Sequence, residues 1–178
     1  HTWPNSKGLE GSDEDDIMML RPTATSENSS RGNKAYGKSS SYYNPNDLSN
    51  GKYNLHGDVA RIVLYVYVRW GNVNGNGKYT AWGSSGVMES RDVLLEWMYV
   101  DPVDTWELGR NDSVESITGT RNVFVDYPEL AFLLFGDLCE DFLQKKALGT
   151  PYTKDTLPSP PLPKYFILLA LGAGFVIA

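Results

Sequence analysis

Residues able to do chemistry crowd into the first 33 positions of the chain. His1-Thr2-Trp3-Pro4-Asn5-Ser6-Lys7-Gly8 leads into an acidic loop, followed by Leu20-Arg21-Pro22-Thr23 and Asn28-Ser29-Ser30-Arg31-Gly32-Asn33. An imidazole within reach of an asparagine and a charged loop suits metal-assisted hydrolysis, in which the ring takes a proton from water while hard oxygen ligands hold Mg2+. The same residue types also serve as surface groups and helix caps, so type alone leaves both readings open. Elsewhere chemistry is sparse. Cys139 is the single cysteine and forms no disulfide within the chain. In an expected helix, with neither histidine near it in sequence, it reads as a small buried hydrophobe and not as a nucleophile.

The elements that must position these groups follow from pattern. Gly8 to Asp16 holds five acidic residues but lacks the Asp-x-Asp-x-Asp-Gly spacing of a calcium loop, so it reads as solvated. Ile17-Met18-Met19-Leu20 suits a short buried strand. Thr23 or Thr25 can cap a helix that carries Asn28 in its first turns and ends at Arg31-Gly32-Asn33. Lys34 to Asn54 predicts a long loop with turns at Asn44-Pro45 and Asn50-Gly51. Within it, Tyr36, Tyr42, Tyr43 and Tyr53 interleave with Lys34, Lys38 and Lys52. These either stack bases and contact phosphates or fold back on the domain.

Asp58 to Trp70 is apolar on most of both faces and fits a buried helix started at Gly57-Asp58, or a strand; Arg61 and Arg69 read as paired structural residues. Gly71 to Gly86 is an excursion rich in Gly and Asn, with a hairpin at Asn74-Gly75 or Asn76-Gly77 and no phosphate-loop ending. Ser90 to Tyr99 predicts a capped amphipathic helix stopped by Asp101-Pro102-Val103. Asp112 is expected to start another short helix ended by Gly119. In the next segment Asp126 is the expected N-cap, Pro128 and Glu129 the first turn and Gly136 the C-cap, with 137–148 continuing as helix.

At 178 residues, with 41% hydrophobic and 21% charged residues, the chain can build one domain with a real core, which excludes disorder throughout. A net charge of −6 argues against a nucleic-acid partner until its distribution is seen. Residues 21–78 carry eight basic and three acidic side chains, whereas 79–141 carry three and thirteen. Such polarity allows a basic face around the site and an acidic back. Four prolines within 157–163 make an extended spacer, so the domain is expected to be 1–149 and the linker 150–164. Tyr165 to Ala178 is uncharged and apolar but only 14 residues long. A membrane-spanning helix needs roughly 18 to 20, so the segment is expected to be an anchor cut short by truncation.

Five motifs in order, His-x-Trp-Pro, Leu-Arg-Pro-Thr, Asn-Ser-x-Arg-Gly-Asn, Gly57-Asp58-Val59-Ala60-Arg61 and Arg121-Asn122-x-Phe124-x-Asp126-x-Pro128-Glu129, closely resemble the endonuclease I family of extracellular nucleases. The resemblance spans His1 to Gly136. It implies an α+β, mainly helical fold built on a ββα-metal (His-Me finger) core, with the first strand missing, packed with several helices. It also settles 58–70 as helix. Glu107, Arg110 and Asn111 match the family's Asp-Pro-Val…Glu…Arg-Asn arrangement and read first as a structural ion-pair cluster.

What the resemblance implies for function is a secreted or cell-surface nuclease acting on DNA, with RNA as a further substrate, and leaving 5′-phosphate ends. His1 matches the general base and Asn28 the ligand of Mg2+, for which Mn2+ or Ca2+ substitutes in binding; Asn33 is next in line. Arg31 is the further catalytic candidate, and Lys7, Arg31 and Lys34 are the candidates for contact with substrate phosphates. No protein partner is implied; membrane attachment would run through 165–178. The family places a Glu immediately before the His, and the segment before Leu-Arg-Pro usually shows a His or Asn where Asp16-Ile17-Met18-Met19 stands. The first departure leads to the expectation that residues 1–178 cleave poorly without an upstream strand. The alternatives are a nucleic-acid-binding module that has lost catalysis and a surface-anchored structural protein of the same fold.

Overall fold

The apolar run around residue 62 does become a helix, and the rest of the chain is arranged about it. The structure, a computed structural model, describes residues 1–45, 55–71 and 79–136. Among these, six α-helices occur: α1 (Thr25–Arg31), α2 (His56–Trp70), α3 (Arg91–Val100), α4 (Thr105–Thr118), α5 (Val123–Asp126) and α6 (Glu129–Phe135). Every residue of α2 from Ala60 to Val66 is buried, as a helix apolar on all sides requires. Its most extensive partner is α3, whose Leu94, Leu95, Trp97 and Met98 face it; α5 packs on another side. Each such leucine contributes roughly 1.5–3 kcal/mol relative to an exposed one.

Several boundaries differ from expectation for identifiable reasons. Ser90 caps α3 as predicted, accepting from the Val93 N–H at 3.1 Å. Helix α2, in contrast, begins at His56, so Asp58 lies inside its first turn and is buried against Arg21 instead of capping. Helix α1 starts after Ala24 with no side-chain cap, so neither Thr23 nor Thr25 does that work. Asp112 starts nothing: α4 is one helix, capped by Asp104 through the Glu107 N–H at 2.8 Å and closed by left-handed Gly119 at φ 70°. Asp126 likewise ends α5 instead of capping α6, because Arg121 claims its carboxylate at 2.6 and 2.8 Å.

The strand expected at Ile17-Met18-Met19-Leu20 is a run of turns. Arg110 explains how it survives unpaired, since its Nη2 donates to the carbonyls of Ile17, Met18 and Leu20 at 2.7, 3.0 and 2.8 Å. A guanidinium thus satisfies acceptors that a neighbouring strand would otherwise take. The remaining carbonyl, of Met19, accepts from the Thr2 N–H at 3.0 Å, so the segment that follows His1 lies against 17–20 without forming a ladder. β-Pairing among the described residues is confined to isolated bridges at Tyr36–Tyr43, Tyr36–Met88 and Trp82–Met88. The architecture is therefore mainly helical.

A closed charge network ties α2 to α4. Arg61, fully buried, donates from Nε and Nη2 to Glu107 at 2.9 and 2.5 Å and from Nη1 to the Asp101 carbonyl at 2.8 Å. Asp58 lies between Arg61, at 3.4 Å, and Arg21, at 2.5 Å. The Asp101 carboxylate accepts from the Gly57 N–H at 2.6 Å. A side chain at Gly57 would meet the Asp101 carbonyl at 2.0 Å, which is why the position takes glycine. Arg69 pairs with Asp16 at 3.6 Å, so both α2 arginines are structural, as their types suggest.

No helix among the described residues is long and apolar enough to cross a membrane. The expectations on Asn50-Gly51, Lys52, Tyr53, Asn74 to Gly77, Cys139, the 137–148 helix, the proline spacer and the apolar tail lie outside the described residues.

Candidate active site

Trp3 is the anchor that places its neighbour His1. Its ring is wholly buried, edge-on to Tyr79 with centroids 5.3 Å apart, and its indole N–H donates to the Lys7 carbonyl at 3.0 Å. Thr2 is buried as well and held by Met19, so the main chain is fixed on both sides of the point where the exposed His1 ring emerges. That ring places Nε2 3.2 Å from the carbonyl of Glu14. A carbonyl only accepts, so Nε2 carries a proton, and in the neutral ring the lone pair is then on Nδ1, the nitrogen left to act as a base.

The acidic loop owes its shape to its own carboxylates. Asp13 is buried and accepts from the N–H groups of Glu10 and Glu14, both at 2.9 Å. Asp16 accepts from Tyr65, Trp70 and the Met18 N–H at 2.8, 2.9 and 2.9 Å. Asn5 bonds the Glu14 carboxylate. These contacts set the Glu14 carbonyl under the imidazole, and two of the acids expected to be solvated are structural.

Helix α1 brings the second half of the site. Asn28 is exposed and its side chain makes no hydrogen bond among the described residues. Three residues on, and so on the same helix face, Arg31 is buried; its Nη1 donates to the His1 carbonyl at 2.6 Å and its Nη2 to the Thr2 carbonyl at 2.7 Å. The guanidinium lies 4.3 Å over the Tyr36 ring. Glu27, four residues before Arg31 and on the same side of the helix, accepts from the Tyr43 hydroxyl at 2.8 Å, and burial together with that carboxylate pushes the Tyr43 phenol up to about 12. Lys34 is exposed with Nζ 3.3 Å from the Ser30 carbonyl, and Lys7 reaches the Ser85 carbonyl at 3.1 Å. Neither lysine is ion-paired among the described residues.

Tyr36 and Tyr43 fold back onto the domain, and Lys38 pairs with Glu96 at 2.7 Å, so this part of the loop is not a free stacking strip. Sequence reasoning missed Glu14, whose backbone carbonyl orients His1; a carbonyl has no residue-type signature, so nothing in the chain could have singled it out. It also missed the burial of Arg31.

No group of three or more His, Cys, Asp or Glu side chains among the described residues forms a metal-binding cluster. The Asn28 amide oxygen is a hard, exposed and uncommitted donor. It could serve as one hard ligand of a divalent ion, to which Mg2+ sites ordinarily add one or two carboxylates together with water and phosphate oxygens.

Two comparisons with known proteins find relatives. A family model described as Endonuclease I matches residues 1–129. Two proteins named extracellular ribonuclease, from Bacillus subtilis (strain 168) and Bacillus amyloliquefaciens, are each 36% identical over 148 residues, covering 74% of this chain and 51% of theirs. The chain thus spans about half the length of these curated relatives. No solved structure matches.

Proposed function

The chain belongs to the endonuclease I family, and from that premise we propose that it is a secreted, metal-dependent nuclease that hydrolyses phosphodiester bonds with little sequence preference. DNA is the substrate class that the motifs imply; the relatives' names bring RNA in beside it, and their extracellular character supports secretion. Anchoring at a cell surface through 165–178 is a separate proposal resting on the apolar tail.

The observation that carries the reading is the His1 ring, exposed yet held by the Glu14 carbonyl with Nδ1 free, on a segment clamped to the helix of Asn28. In this reading Nδ1 removes a proton from a water molecule, whose oxygen bonds to phosphorus as the bond to the 3′ oxygen breaks; that oxygen takes a proton from solvent, leaving 5′-phosphate and 3′-hydroxyl ends. Asn28 would hold the divalent ion that the family generally uses, Mg2+ in our proposal. When bound, that ion supplies positive charge for the phosphate oxygens. Lys7 and Lys34 are the proposed phosphate contacts on the surface.

The test is cleavage of a supercoiled plasmid and of a long RNA, with Mg2+ and with excess chelator, beside His1→Ala. A general base contributes on the order of 10²–10⁴-fold, and His1→Ala should lose that much. Cleavage that survives His1→Ala, or that ignores the chelator, overturns the proposal.

A further inference from the structure

Building on the nuclease reading, we propose that Arg31 is a positioning residue that clamps the His1 segment to the helix carrying Asn28, and that it is not a contact to substrate phosphate. Arg31 is 7% exposed, and both terminal nitrogens are already committed, to the carbonyls of His1 and Thr2 at 2.6 and 2.7 Å. To meet a phosphate it would have to leave both carbonyls and the face of Tyr36, 4.3 Å away. Tyr36 cannot follow, since its N–H donates to the Val87 carbonyl and its carbonyl accepts from the Glu89 N–H, each at 2.7 Å. The remaining Arg31 nitrogen, Nε, is buried with no partner among the described residues. That unpartnered donor offsets part of what the two bonds to the His1 and Thr2 carbonyls contribute to the fold.

Geometry accounts for an arginine here. A planar fork spans two successive carbonyls of one segment, which the point-like ammonium of lysine does not do. The carbonyls belong to the base and its neighbour, while the guanidinium belongs to the residue one turn beyond Asn28. Through this single side chain the imidazole and the amide oxygen are set relative to each other, and both must meet the same phosphate. Misplacement by about 1 Å in such a constellation costs on the order of 100-fold in rate.

The experiment compares the full chain with Arg31→Lys, reading kcat, KM, the dependence of binding on salt, and the 15N shifts of the His1 ring. A clamp predicts kcat lowered about 100-fold with KM and the salt slope unchanged. It also predicts that the His1 ring, one tautomer in the parent protein, becomes a mixture as its contact to Glu14 loosens. A raised KM with the salt slope reduced by about one makes Arg31 a phosphate contact and overturns the inference. If the protein extended by an upstream strand with its Glu also cleaves nothing, the nuclease reading fails by itself. The tautomer comparison still decides the clamp: a ring unchanged in Arg31→Lys overturns it, and a mixed ring supports it. Should that variant fail to fold, Tyr36→Leu removes only the ring beneath the guanidinium; lowered kcat at constant KM supports the clamp and unchanged kcat overturns it.

Discussion

Arg61 and Arg31 are both buried arginines on helices, but one is answered by carboxylates and the other, among the described residues, by carbonyls and the Tyr36 ring. Around Arg61 the charges close on themselves, with Arg21 and Arg61 set among Asp58, Glu107 and Asp101. Burial pushes the Asp101 carboxyl up to about 6 and raises Glu107 as well. Shifted carboxyls in a polar cluster ordinarily point to catalysis. Here they mark a strut between α2 and α4, while the groups we propose for catalysis, His1 and Asn28, stand exposed beside an arginine that no carboxylate among the described residues pairs with. Perturbation in this molecule follows burial, whereas the residues proposed for chemistry are exposed.

The largest effect should come from breaking the strut. Arg61→Met leaves Glu107 and Asp58 buried without their shared cation, and removing one partner of a buried pair costs about 3–5 kcal/mol. Urea unfolding reads the loss directly. Cleavage per folded molecule should be unchanged, and a variant that keeps its stability but loses activity would move Arg61 to the functional side of the comparison.

Asn28→Ala should do the reverse. We expect Mg2+-dependent cleavage to fall by about 100-fold, equivalent to about 2.7 kcal/mol of transition-state stabilisation. Stability should shift by no more than about 0.5 kcal/mol, since the side chain is exposed and holds nothing. Full activity in this variant would transfer the ligand role to Asn33.

The difference between the two regions also governs how much the chain revealed in advance. Helix α3 was legible because Ser90, the apolar period and the Asp101-Pro102 stop all act locally. That Glu107 and Arg61 would each be paired was legible because charges in an apolar context need partners; the grouping of Glu107 with Arg110 and Asn111 was not, since Glu107 pairs with Arg61 while Arg110 holds the carbonyls of 17–20. The strand at 17–20 misled because its carbonyls are satisfied by Arg110, about ninety residues away. No local pattern encodes that. Asp112 and Asp126 looked like caps, but Asp104 had already capped α4 and Arg121 took Asp126. At the candidate site, His1 and Asn28 are proposed through motif order alone. The roles of Glu14 and Arg31 run through main-chain carbonyls, which every residue possesses.

The smallest effect isolates one carboxyl of the strut through pH. The folded protein holds the Asp101 proton more tightly than an ordinary carboxyl at 3.8 does, because burial penalises the charged form more than Gly57 N–H and Arg61 favour it. Its contribution to stability is therefore complete below 3.8 and is lost as pH rises through about 6. Glu107, raised in the same direction, adds to the decline. Asp101→Asn keeps an amide oxygen to accept from the Gly57 N–H and never ionises. Urea midpoints at about pH 4, 5.5 and 7 should fall less steeply in this variant than in the parent, with the largest difference between the two curves at about pH 7. Parallel curves would mean that Asp101 is already ionised in the folded protein at low pH, and that the Arg61 cluster neutralises three carboxylates instead of two.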